Sequence, residues 1–102
     1  MAYIKPKYLN IGASTDPDVV GYKVYWAVPP AVIIYDPVNG VGVGLITRIA
    51  LPLAGMPNID GELTVGVTAV DNHENESDPA EITFPFDFIP PTGPTSLSVS
   101  DD

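Results

Sequence analysis

The sequence predicts an all-β fold, an antiparallel two-sheet sandwich, and three observations carry that prediction. Twelve prolines and nine glycines are scattered through 102 residues, and both residue types break long helices. Several short runs alternate apolar and polar residues at period two, which turns alternate side chains to one face of a strand. Turn signals recur about every eight to twelve residues, the spacing of a small sandwich. Hydrophobic residues make up 45% of the chain, enough for one modest core and too many for a disordered segment. The expected organisation is one compact unit over residues 1–88 and a proline-rich arm over residues 89–102.

The first strand is expected in the apolar stretch Lys7–Ala13. It ends at Ser14-Thr15-Asp16-Pro17-Asp18, where Asp side chains can bond the backbone and Pro fixes φ. The second is Val20–Trp26, with Val20, Tyr22, Val24 and Trp26 on one face and Lys23 and Tyr25 on the other. Pro29-Pro30 ends it, because neither residue can donate to a ladder. Val32–Val38 is β-branched and aromatic but interrupted by Asp36-Pro37, so it reads as an edge strand. Asn39-Gly40 then has the composition of a tight primed turn, with a returning strand over Val41–Leu51. Leu53–Gly61 reads as a loop. Leu63, Val65, Val67 and Ala69 alternate with Thr64, Gly66 and Thr68 in a further strand. Asp71–Asp78 is polar throughout and reads as an exposed loop. Ala80–Phe86, with Ile82, Phe84 and Phe86 at period two, closes the compact part. The expected core is Ile11, Tyr22, Val24, Trp26, Val65, Val67, Ala69, Ile82 and Phe84.

Two phrases, Gly12–Trp26 (GASTDPDVVGYKVYW) and Leu63–Phe84 (LTVGVTAVDNHENESDPAEITF), resemble a bacterial fibronectin type III domain, an immunoglobulin-like sandwich. The resemblance covers about residues 8–86 and implies that Tyr22 and Val24 pack against Val65, Val67 and Ala69. It implies strands B and C around the first phrase, and strands F and G around the second. Ile11 stands where the family usually has a Trp, and Leu63 where it has a corner Tyr. Only Met1–Pro6 precedes strand B, so strand A is expected to be truncated or absent. The phrase PPTGPTSLSV, from Pro90, is similar to the lead-in of a further such domain.

Composition narrows the function. Formal net charge is −9 with four basic residues, which argues against a phosphate-backbone partner, so nucleic acid is not expected. The chain has no cysteine, so it has neither a disulfide framework nor a thiolate metal site. No apolar run is long enough for a bilayer, and Met1–Pro6 lacks the apolar core of a secretory signal. Asn39–Gly44 (NGVGVG) lacks the spacing and following helix of a phosphate loop. Asp16 and Asp18 in one loop, and Asp71, Glu74, Glu76 and Asp78 in another, would meet at one pole and are candidate Ca²⁺ ligands. Their spacing matches no EF-hand. His73, the single histidine, sits mid-loop without a nucleophile partner, and Asn75-Glu76-Ser77 matches a glycosylation sequon. A small sandwich offers little room for the paired carboxylates of a glycosidase. No catalytic residue and no cofactor are expected.

The functional expectation is therefore a structural or interaction module. In one form it is a self-assembling or surface-decorating subunit, filament-like or virion-like, whose partners are copies of itself or an assembly scaffold. Its interaction arm would use Pro90, Pro91 and Pro94 as a spacer, spanning roughly 15 Å when extended, and Leu97 and Val99 as a short added strand. The alternative is a spacer or adhesive module of a larger secreted protein. A glycan-binding reading would rest on Tyr25 and Tyr35 as exposed aromatics.

Overall fold

The computed structural model describes residues 3–57 and 60–101. Asn58 and Ile59 of the expected Leu53–Gly61 loop lie outside them, as do Met1, Ala2 and Asp102. Six strands and one short 3₁₀ turn make up the regular structure: β1 (Lys7–Asn10), β2 (Val19–Ala27), β3 (Val41–Gly44), β4 (Arg48–Leu51), β5 (Asp60–Asp71) and β6 (Ala80–Asp87). They form two antiparallel sheets, a pair β1-β4 and a four-stranded sheet in the order β3-β2-β5-β6. No helix among the described residues is long and apolar enough to cross a membrane.

The core fills the space between the sheets. Val24 of β2, Leu63 and Val65 of β5, Ile49 and Leu51 of β4 and Phe86 of β6 are buried together, joined by Met56 and Phe88. The alternation of β2 and β5 accounts for this. Val24 pairs with Val67, and Trp26 with Val65, so same-parity residues of neighbouring strands turn to the same side. Leu9, Ile11, Trp26, Val67 and Phe84 are half-buried against that cluster. Tyr22 is buried, and its hydroxyl accepts a hydrogen bond from the Ser14 N–H at 2.8 Å.

Four expectations are corrected. Val32–Val38 is not a strand: the segment lies irregularly and ends in a 3₁₀ turn over Pro37–Asn39, capped by the Asp36 side chain, which accepts from the Val38 N–H. Asn39-Gly40 is consequently not a hairpin turn, and Gly40 has an extended backbone. Val41–Leu51 is not one strand but two in different sheets. The break falls at Gly44, whose φ of +70° lies in the left-handed region open to glycine, and Leu45 and Ile46 are left exposed. Finally, Ile82 is not core. It is 53% exposed, because β1-β4 has only two short strands and leaves the start of β6 uncovered. Val20 is exposed for another reason: the pairing of β2 with β5 slips between Val19 and Gly21, and Val20 is the unpaired residue of that irregularity.

Phe88 is fully buried, while Leu97 and Val99 are 91% and 98% exposed. Among the described residues beyond Ile89 there is no strand, and each from Pro91 onward is exposed. The molecule accordingly measures 70 × 27 × 20 Å, with a radius of gyration of 18.2 Å, against about 13 Å for a compact chain of this length. The arm stands away from the body.

Candidate functional site

Between the free edge of β1 and the edge strand β6 runs an open trough of about 750 Å³. Lys7, Leu9 and Ile11 form one wall, and Ile82 and Phe84 form the other. Val67 and Ala69 of β5 lie at its floor, so the floor is the inner face of the four-stranded sheet. Ile11, Val67, Ala69, Ile82 and Phe84 were expected in the core from their alternation, and here they line an open channel instead. Among the described residues β1 pairs only with β4, and Tyr3–Pro6 ahead of it hold no strand. One side of β1 therefore presents unpaired backbone groups along an apolar channel, which proteins normally cover.

The ends of the trough differ in charge. At the β1 start is Lys7, with Lys5 two residues ahead of it in the chain, and neither forms an ion pair among the described residues. The chain's other cations are engaged, Lys23 with Glu76 at 3.6 Å and Arg48 over the Tyr8 ring at 4.2 Å. The other end lies at the pole where Ser14 meets Tyr22 and Asp78 lines the opening. The Asp16–Asp18 and Asp71–Asp78 loops do meet at this pole, where the Asn72 N–H donates to the Asp18 carbonyl at 3.1 Å.

Three of the candidate calcium ligands, Asp16, Asp71 and Glu76, direct their carboxylates at protein groups. Among the described residues no three His, Asp or Glu side chains gather in a group able to hold a metal ion. The Asp71 carboxylate accepts the N–H groups of His73 and Asn75 and the Asn75 side-chain amide. Backbone donation from Asn75 and then His73 holds its pKa below the usual carboxylate value. Asp16 accepts from the Asp18 N–H. Glu74 is exposed, with φ +66°.

Glu76 has a different role, one that sequence reasoning missed. Its Oε1 accepts the Tyr25 hydroxyl at 2.6 Å and the Thr68 hydroxyl at 2.7 Å, and Lys23 approaches Oε2. Burial pushes the carboxyl up, but these donors outweigh it and leave its pKa below the ordinary value. Tyr25 shows the counterpart: burial first, then the bond to Glu76, push its hydroxyl up to about 12. The residues 28–40 cross over this face. The Tyr35 ring meets Tyr25 edge-on at 5.0 Å between centroids, and its hydroxyl donates to Glu81. Tyr25 is 1% exposed, so the expectation of exposed aromatics for a glycan fails at its first residue: the crossing segment covers the ring. Only the polar character of Glu76 and the β-branched run before Asp36 hinted at this arrangement.

Comparison with known proteins gives no match to a family model, to a curated protein or to a solved structure. Function has to be argued from the geometry.

Proposed function

We propose that this chain is a non-catalytic interaction module that assembles by strand addition, the arm of one copy entering the trough of another. A single observation carries the reading: the same molecule holds a channel with an open strand edge and an unpartnered arm that alternates like a strand. Extended segments that add to an exposed edge gain main-chain hydrogen bonds, and alternate side chains fill the pockets beside it. Leu97 and Val99 are the apolar positions that would do so. The arm is built for reach, with Pro90, Pro91 and Pro94 holding it extended.

The fold reading belongs to the same proposal. A sandwich of fibronectin type III kind is supported by the strand order β3-β2-β5-β6 facing β1-β4, an immunoglobulin-like arrangement in which the place beside β1 is open. Repeated head to tail, such a contact gives a ring or an open filament. The setting that fits is a structural or surface-coating assembly, and the partners are copies of the chain or a scaffold with a similar arm.

Sedimentation of the full chain over a range of concentrations tests the reading. Wild type should associate, and Leu97→Asp with Val99→Asp should be monomeric at unchanged circular dichroism, because both positions are solvent-exposed in a single copy. A wild-type chain that stays monomeric, as a spacer module would, or a variant that still associates, refutes it.

A further inference from the structure

We infer that the arm enters the trough antiparallel to β1, in the register that sets Leu97 opposite Ile11, Val99 opposite Leu9 and Asp101 opposite Lys7, and that this polarity requires a second copy. The inference rests on the strand-addition reading above and adds to it the partner, the direction and an ionic lock.

Side-chain parity comes first. Leu9 and Ile11 turn inward and pack against the core cluster, and period-two alternation puts Lys7 on the same face of β1. Leu97, Val99 and Asp101 share one face of the arm. Directly opposed residues of an antiparallel pair point to the same side. One register therefore brings both apolar residues of the arm against both apolar residues of β1 and leaves a carboxylate against an ammonium. The backbone agrees with it. The Ile11 N–H is spent on the Thr47 carbonyl of the neighbouring segment at 2.7 Å. Alternation then turns the N–H groups of Tyr8 and Asn10 to the open edge, opposite Ser100 and Ser98 of the arm.

Charge then decides the direction. In the opposite, parallel sense the aligned registers set Asp101 against Ile11 or beyond it. That is the pole carrying Asp16, Asp18 and Asp78, where a carboxylate would meet apolar surface and like charge. Antiparallel entry instead carries Asp101 to Lys7, which lines the trough and has no carboxylate partner among the described residues.

Direction in turn selects the source of the arm. β6 runs from the acidic pole to the pole where β1 begins, because Ser77 bonds the Ala69 carbonyl beside Tyr22 and Ser14. An arm leaving β6 and folding back by the short path onto its own β1 would run parallel to it. Antiparallel entry starts from the acidic pole, which a neighbouring copy's arm reaches head-on.

Cross-linking reads the polarity directly, because the chain contains no cysteine of its own. Ser100→Cys is mixed under mild oxidation with Tyr8→Cys or with Gly12→Cys, where an added Cβ meets nothing within 4 Å. A disulfide needs Cα atoms within about 7 Å. A mixed dimer with Tyr8→Cys and none with Gly12→Cys is expected. A mixed dimer with Gly12→Cys, or none with either while wild type associates, overturns the antiparallel polarity and leaves strand addition standing; a wild-type chain that sediments as a monomer overturns both. For the ionic lock, Lys7→Glu should slow formation of the Tyr8→Cys mixed dimer about tenfold, and Asp101→Lys on the donor should restore it. Equal yields in all combinations would sink the lock.

Discussion

Removing one hydroxyl tests the buried network under residues 28–40. Tyr25→Phe leaves the ring in place against Tyr35 and deletes the bond of 2.6 Å to Glu76. A hydrogen bond to a charged group contributes about 1.5–3 kcal/mol. Glu76 keeps Thr68 and Lys23, so it is not stranded, and the lower end, about 1.5 kcal/mol, applies. For a domain of this size that lowers the thermal midpoint by about 8 °C, read by calorimetry or circular dichroism at pH 7. The pH dependence gives an independent check. Glu76 has a lowered folded pKa, so its contribution is complete above the unfolded value of about 4.3 and is lost as pH falls through the folded one. Tyr25 has a raised pKa, about 12, so its contribution is complete below about 10 and is lost as pH rises toward 12. Tyr25→Phe should flatten both flanks. An unchanged midpoint at pH 7, or an unchanged alkaline flank, would refute the network as a source of stability.

Two further substitutions test the packing. A Cβ at Gly66 would collide with the Tyr35 hydroxyl, so Gly66→Ala should destabilise by about 1–3 kcal/mol; in a Tyr35→Ala background most of that loss should vanish in a double-mutant cycle. Phe88 is fully buried and its ring centroid lies 4.9 Å from that of Phe86. Phe88→Ala should therefore lose about 3–5 kcal/mol by urea titration, whereas Ile89→Ala, at the exposed start of the arm, should change little.

Much of the fold was legible because alternation is a local signal. β2 and β5 follow period two from Tyr22 to Trp26 and from Leu63 to Ala69, and their pairing places those faces together. The failures come from long-range geometry. Val32–Val38 has the composition of a strand, but Asp36 caps a turn with its own side chain and Tyr35 finds Tyr25 and Glu81 across the sheet. Ile82 has the right parity for the core, but parity says which face a residue points to and not whether another layer lies over it. The open edge of β1 was foreshadowed by the short stretch Met1–Pro6 ahead of it, but the width of the trough was not. Its walls are ordinary core positions, and only the two-stranded size of the β1-β4 sheet leaves them open. The arm, by contrast, was visible from its prolines and its Leu97-Ser98-Val99 alternation.

A contact between an arm and a trough is heterologous, since the two surfaces are different and each copy carries one of each. This makes the stoichiometry separable by design. Leu97→Asp with Val99→Asp removes the donor and leaves the trough intact. Ile82→Asp places a carboxylate on the trough wall, and the residue is exposed enough for the single copy to tolerate it. Each variant alone has half a joint and should be monomeric. Mixed, they retain one working arm and one working trough between them, so they should form a one-to-one dimer and stop there, while wild type continues to larger species. Sedimentation velocity resolves the three cases at a single concentration. A mixture that stays monomeric, or a variant that assembles alone, would show that the arm and the trough are not two halves of one joint.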